Sequence, residues 1–296
     1  MGLEMHQETI YRQEGGKRTR GDVRTAPPLV SIITPSRNQG KYIRHCLESI
    51  YSQSHRNLEH LVLDGMSTDE TGTVVKEYGS RFFQEVDSGP AQAINRGLDL
   101  AKGDVVCWLN ADDAFFGPET LRQVVELFDQ HPEIDVVTGN GYYIDDAGKL
   151  LQPIIPAHCS HMTREWMNRG DLFLQPATFW RRNSHRLNEK LHYTFDWQLW
   201  IDFYRDQLNI VYIPQYFAAY RIQPGSLTQQ DRPLRREEIY RIVAKNGDHG
   251  LQALWCWIVW KVYIADERMH TEFFRRAIRF ANAVLNRITA GRICSP

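Results

Sequence analysis

Four short apolar runs, each closed by a polar tip and followed by a helical pattern, constrain the fold of this chain more than any other feature. Leu29 to Thr34 is β-branched and stops at Pro35, and Tyr42, Ile43, Cys46, Leu47 and Ile50 then recur at helical spacing. Leu58 to Asp64 is a second strand pattern ending on an acid. Ser67-Thr68-Asp69-Glu70 is a capping signature for a helix running to Tyr78. Arg81 to Val86 is a weaker strand leading into Asp87-Ser88-Gly89, and Pro90 opens a helix to Lys102. The fourth run, Val105 to Leu109, ends in Asn110-Ala111-Asp112-Asp113, a tip with adjacent carboxylates. Such alternation predicts an α/β fold with a mostly parallel sheet and helices on both faces. Right-handed crossovers bring the C-terminal tips to one edge, the edge where open α/β sheets bind ligands.

Beyond these units the pattern is less regular. Pro118 to Gln130 reads as a helix, and Ile134 to Thr138, Gly141 to Ile144 and Leu150 to Ile155 read as short strands. Asp146-Ala147-Gly148-Lys149 is a hairpin turn. Strands without intervening helices predict an antiparallel second part of the sheet. Gln175 to Trp180 is a further strand, Phe195 to Arg205 an aromatic-rich helix, and Asn209 to Ile213 and Tyr216 to Ile222 closing strands. Helices then dominate: Arg232 to Lys245, Leu251 to Ala265 and His270 to Ile288. The expected organisation is a poorly ordered leader over 1–27, a main domain over 28–230 and a helical extension over 231–296.

A net charge of −1 gives no electrostatic argument for nucleic acid. The five cysteines lie far apart without zinc-ligand spacing, which suits a reducing compartment. Residues 1–27 lack an apolar core, so no signal peptide is read. Leu251 to Ala265 is too short to span a bilayer and is broken by Lys261. A cytoplasmic protein is expected.

Two adjacent acids on a loop admit two readings: a turn with helix-capping acids before Pro118, or a site for a hard divalent cation. Convergence with the tips Thr34 to Asn38, Asp64 and Asp87 favours the ligand site. Asp64 and Asp87 are acceptors for a base edge or ribose hydroxyls, and Ser36 and Asn38 can bond a base or a phosphate. Arg96 can balance diphosphate charge, and Asp112 and Asp113 can hold Mg²⁺ or Mn²⁺ bridging phosphate oxygens. Neither a phosphate-loop motif nor a dinucleotide glycine fingerprint is present. A nucleoside diphosphate held by acids and metal is the reading left.

From Leu29 to Thr228 the chain resembles an inverting family-2 glycosyltransferase with the GT-A fold. The resemblance rests on Ser31 to Asn38, Asp64-Gly65-Met66-Ser67-Thr68-Asp69-Glu70-Thr71, Asp87 to Gly97, Gly103-Asp104 and Trp108 to Asp113, in order and spacing. It implies a nucleotide-sugar half over 28–115 and an acceptor half over 116–230. A UDP-sugar would serve as donor, with a hydroxyl acceptor on a surface polysaccharide, lipid-linked oligosaccharide or glycoprotein glycan. It places Thr34, Ser36, Asn38, Asp64, Asp87, Arg96 and Asp112 on the donor, and makes Asp113 the foremost metal ligand with Asp112 beside it. Phe195-Asp196-Trp197-Gln198-Leu199-Trp200 resembles the motif that supplies the catalytic base, here Asp196; the plainer alternative is that Asp196 caps its helix. Gln175, Trp197 and Arg221 fall on the acceptor side. The chain departs from the family pattern at Asn110, in place of the first acid of the DxD motif, and at Gln223, where relatives often carry a histidine. Gln223 can hydrogen-bond but carries no charge, and Arg221 is expected to compensate.

Other readings stay open. A nucleotidyltransferase shares the sheet and the acids but needs a Gly-rich loop with Arg and Lys after the first strand, absent here. A transferase-like binding module without turnover would be consistent with Asn110 and Gln223. Trp166, Trp180, Trp197 and Trp200 suit sugar stacking or core packing, and His158, Cys159 and His161 a surface loop rather than a metal site. The tryptophans Trp255, Trp257 and Trp260 precede a stretch, 271–296, with five arginines against Glu272. That pattern fits helix packing with a basic outer face, and equally contact with an anionic membrane.

Overall fold

The structure, a computed structural model, describes residues 11–12, 27–156, 171–223, 226, 233–246, 253–254, 256–261 and 264. The chain divides into two compact units, Met1–Ser226 and Leu227–Pro296. The expectations for His158, Cys159, His161, Trp166, most of 1–27 and the helix from His270 to Ile288 lie outside the described residues. No helix among the described residues is long and apolar enough to cross a membrane.

The first unit is built on one ten-stranded sheet. Its strands are β1 (Tyr11–Arg12), β2 (Val30–Ser36), β3 (Leu58–Asp64), β4 (Arg81–Gln84), β5 (Val105–Trp108), β6 (Ala114–Phe115), β7 (Val136–Ile144), β8 (Leu150–Ile154), β9 (Thr178–Arg181) and β10 (Ile210–Arg221). The helices are α1 (Gly40–Tyr51), α2 (Thr71–Lys76), α3 (Pro90–Leu100), α4 (Thr120–Gln130) and α5 (Phe195–Arg205). The strand order is β1-β10-β7-β9-β5-β2-β3-β4, with β6 on β10 and β8 on β7. β5, β2, β3 and β4 are mutually parallel. β9 runs antiparallel between β5 and β7, and β10 returns parallel to β7.

Alternation along the strands explains why both faces are covered. Val30, Ile32, Val105 and Cys107 point to one side, where Cys46 and Ile50 of α1 and Leu121, Val124 and Phe128 of α4 close the core. Ile33, Val106 and Trp108 point to the other, against Ile94 and Leu98 of α3 and Leu199, Trp200 and Phe203 of α5. The mixed α/β architecture is the one expected.

Several boundaries differ from the sequence reading. Ile134–Thr138 and Gly141–Ile144 are one strand, β7, and the two closing strands are likewise one, β10. β10 is parallel to β7, because β9 reverses the chain direction after β7 and β10 reverses it again, so the second part of the sheet is only partly antiparallel. Gln175–Ala177 is a 3-10 turn and only Thr178–Arg181 is strand. Within the leader, Tyr11 and Arg12 pair with Tyr212 and Val211.

Candidate active site

The β2 and β3 tips lie side by side, Ser36 registered against Asp64, and the loops beyond them are tied together. The Asn38 amide N–H donates to Ser67 Oγ (2.7 Å), and Asn38 Oδ1 accepts from the Thr68 N–H (2.9 Å). Asn38 has φ +51°, a conformation that Asn tolerates. The same pairing supplies the amides at the start of α1: Gln39 N–H donates to Thr71 Oγ1 and Gly40 N–H to Asp69 Oδ2, both at 2.9 Å. Asp69 also accepts from the Thr71 N–H at the start of α2 (3.0 Å); the capping box read at Ser67 and Glu70 does not form, because Ser67 Oγ donates to Asp64 and the N-cap residue Glu70 makes no side-chain cap bond.

Asp64 is buried at the end of β3. It accepts from the Ser67 N–H (2.8 Å), from Ser67 Oγ and from Gln84 Nε2 (3.1 Å). Thr34 is fully buried, and its hydroxyl lies 2.9 Å from His60 Nε2. Ser36 is buried with no hydrogen-bond partner for its Oγ.

Asp87 is half-buried and caps the Gly89 N–H at 3.0 Å. A Cβ on Gly65 would lie 2.8 Å from Asp87 Oδ2, so the second and third tips meet closely. Burial pushes the Asp87 carboxyl up, with Asp64 adding to the effect and Arg37 opposing it. Asp64, Asp87 and Arg96 line a cleft of about 420 Å³ that continues past Phe83, Gln92 and Asn95. Arg96 is ion-paired with Glu85, so its charge is already partnered. Sequence reasoning missed Glu85; its place two residues before Asp87 was the available signal.

The fourth tip is the most enclosed. Asp113 is 1% exposed; its Oδ1 accepts from the Arg221 N–H (2.9 Å) and its Oδ2 from Asn110 Nδ2 (3.0 Å). Asn110 Nδ2 also donates to Gln175 Oε1 (3.0 Å), and Gln175 Nε2 donates to the Trp108 carbonyl (2.7 Å). Asp112 is half-buried and its Oδ2 accepts from Gln223 Nε2 at 2.7 Å. Burial raises both carboxyls, and for Asp113 the neighbouring Asp112 charge adds to it. Two desolvated carboxylates in sequence are a hard-oxygen donor set whose repulsion a divalent cation relieves. Among the described residues no group of three or more His, Cys, Asp or Glu side chains could hold a metal ion. A cation here would therefore take one or two carboxylates and complete its shell from phosphate and water.

Arg221, expected on the acceptor side, is buried beneath this loop. Its Nε donates to the Asp112 carbonyl (2.8 Å), Nη1 to the carbonyls of Asp145 (2.8 Å) and Asp146 (3.0 Å), and Nη2 lies 2.7 Å from His45 Nδ1. Burial and the Arg221 charge hold the His45 pKa below its ordinary value. Arg221 is a rivet for the loop and the β7–β8 hairpin.

Asp196 sits half-buried in the first turn of α5, and its Oδ1 accepts from the Trp197 N–H at 2.8 Å. Nearby Asp171 has its carboxyl pushed well up by desolvation and by the Asp196 charge, although the residue as a whole stays exposed. Trp197 is buried on the same helix, and Trp180 and Trp200 belong to the core. Trp108, at the end of β5, stacks on Trp200 with centroids 5.6 Å apart. The segment before α5 is anchored by Asn95, whose side chain accepts from the Leu187 N–H (2.8 Å) and donates to the Leu187 carbonyl (3.0 Å).

The chain is 28% identical over 195 residues to a glycosyltransferase of Rickettsia typhi, covering 61% of this chain and 60% of that protein's length. It is 28% identical over 228 residues to the glycosyltransferase GlyG of Streptococcus pneumoniae, covering 69% of this chain and 74% of the relative. Among solved structures, S. aureus TarS in complex with UDP superposes with a TM-score of 0.58 at 22% identity, covering 73% of this chain and 64% of that one. The mannosyltransferase PcManGT from Pyrobaculum calidifontis, in complex with GDP-Man and Mn²⁺, gives 0.58 at 17% identity, over 88% and 81% of the two chains. The mixed α/β sheet with its helices is that of the GT-A fold, and the model for "Glycosyl transferase family 2" matches residues 31–201: the chain belongs to that family.

Proposed function

We propose that the chain transfers a sugar, with inversion, from a nucleoside-diphosphate donor to a hydroxyl on a glycan, lipid-linked or protein acceptor. The carrying observation is the convergence of Asp64, Asp87 and half-buried Asp112 on one sheet edge, with Asp196 on a helix packed against the strand that bears Asp112. A UDP-sugar is the donor we favour: UDP is named with TarS and with the glucosyl-3-phosphoglycerate synthase of Mycobacterium tuberculosis. Mn²⁺ is named with that synthase and with PcManGT, which carries GDP-Man.

In this reading Asp64 and Asp87 accept hydrogen bonds from the base or the ribose. Asp112 is the accessible ligand for Mn²⁺ or Mg²⁺, oriented by Gln223, while Asp113 lies beneath it and fixes the turn. Bound there, the cation would neutralise charge on the diphosphate as it leaves. Asp196 accepts the acceptor's proton as its oxygen forms the new bond to the anomeric carbon. The sugar–phosphate bond breaks, and its electron pair departs with the nucleoside diphosphate.

The test separates the two halves. Asp196→Asn keeps a UDP- and Mn²⁺-dependent rise in melting temperature and loses transfer by a factor on the order of 10² to 10⁴. Asp112→Asn loses the Mn²⁺-dependent part of that rise. Undiminished transfer by Asp196→Asn removes Asp196 as the base, and an undiminished Mn²⁺ effect in Asp112→Asn removes it as the ligand.

A further inference from the structure

The second unit presents an outer face of the wrong polarity for solvent. Its first helix, α6 (Pro233–Asn246), packs on helical residues 256–261: Tyr240 stacks on Trp260 with centroids 5.6 Å apart, and Ile242, Val243 and Val259 are buried. A helix packed on one side normally turns polar residues outward. Here Leu254 is 52% exposed, Trp257 41% and Ile258 38%. At 3.6 residues per turn, these three and Lys261 fall within an arc of about 100° opposite Val259. The Lys261 ammonium lies 4.1 Å from the Trp260 ring centroid and 5.9 Å from that of Trp257.

We propose that Leu254, Trp257, Ile258 and Lys261 form a docking face that seats this unit in the headgroup layer of an anionic bilayer. Two aliphatic side chains enter the acyl boundary. The Trp257 indole sits where an amphipathic ring is favoured, and Lys261 extends back to the lipid phosphates. The charge is complementary: the described residues of the unit carry five Lys and Arg against Glu237 and Glu238, and the sequence of 227–296 as a whole has twelve Lys and Arg against seven Asp and Glu. Near an anionic leaflet each such charge adds attraction. A second copy of the chain is a poorer occupant, because this cationic surface would meet its like. Four side chains also fall far below the roughly 800 Å² per partner of a stable interface.

The experiment is sedimentation of the full chain with vesicles of phosphatidylcholine alone or with about 30% phosphatidylserine. The chain sediments with the anionic vesicles, less so as salt is raised. The double variant Trp257→Ser, Ile258→Ser binds at least about tenfold more weakly, with its melting temperature unchanged. Lys261→Glu weakens binding to a smaller degree. The proposal is overturned if the native chain stays in solution with anionic vesicles, or if the double variant sediments equally well. It is also overturned if light scattering shows a native dimer that the double variant dissociates, which would give the face to a second copy.

Discussion

Trp108 and Trp200 lie face to face, their ring centroids 5.6 Å apart and their planes 6° from parallel. Trp108 is the last residue of β5, directly before the turn that carries Asp112, and Trp200 lies one helical turn beyond Asp196. The stack is enclosed by Trp180, edge-on to both rings, and by Phe173 and Phe203. It is the contact that couples the Asn110–Asp113 turn to the helix of the proposed base. Trp200→Ala is expected to cost about 3–5 kcal/mol by urea denaturation. The milder Trp200→Phe keeps the fold but lets α5 settle differently, so kcat falls while the donor KM changes little, since small misplacements cost rate before binding. A Trp200→Phe enzyme with unchanged kcat would show that the stack does not position Asp196.

Asn110 donates with one amide group to both Asp113 and Gln175. Aspartate has no such proton and would add a charge beside a carboxylate that is already desolvated. Asn110→Asp is therefore expected to lower stability by about 2–3 kcal/mol at neutral pH, measured by chemical denaturation. A neutral result would mean that the acid of the common family motif fits this turn as well as the amide does.

His60 gives the fold a pH dependence. Its ring is buried between Thr34 Oγ1 (2.9 Å) and Ser80 Oγ (2.8 Å), and burial pushes its pKa from 6.5 down to about 3. Below pH 6.5 the unfolded chain takes a proton that the folded chain refuses, so its contribution is complete above 6.5 and is lost as the pH falls towards 3. The slope reaches about 1.4 kcal/mol per pH unit for one such proton. His45, held down by burial and Arg221, acts in the same direction. His60→Gln should flatten part of this slope in urea titrations between pH 7 and about 4.5. Parallel curves for the two proteins would exclude a neutral buried His60.

Helix α3 lies so close to the sheet that a Cβ on Gly97 would stand 2.4 Å from Ile33 Cγ2 and 3.0 Å from Leu63 Cδ2. Gly97→Ala gains up to about 1 kcal/mol of helix propensity and should still destabilise by roughly 1–3 kcal/mol through overpacking. The melting temperature is then lower by several degrees. A higher one would show that α3 can lift from β2 without strain.

The acids at the strand tips were legible because the topology alone delivers them: Asp64 and the Asp112–Asp113 turn follow apolar runs whose direction the crossovers dictate. The long strands were not. In β7, Gly139 and Gly141 look like turn residues, yet they are glycines because Phe217 Cδ2 and Leu174 Cδ2 would each stand 2.5 Å from their added Cβ atoms. In β10, Pro214 lies where the register shifts between Ile213 and Tyr216, and a sequence pattern reads that break as an end. Arg221 was legible as a cation but not as a rivet, because three of its acceptors are backbone carbonyls, which no side-chain pattern announces. The ranking of the paired acids depended in the same way on packing: Asp113 is enclosed by Arg221 and Asn110, and Asp112 is the more open of the two.

The reciprocal bonds between Asn38 and the Ser67–Thr68 pair, with Asp69 and Thr71 capping α1, have a consequence for engineering. The two loops are one interchangeable part. A graft that replaced only residues 65–71 would remove the side-chain acceptors of the Asn38, Gln39 and Gly40 amides at the start of α1. Recombination between relatives preserves this corner of the sheet edge only if both segments travel together, although more than twenty residues of helix and strand separate them in the chain.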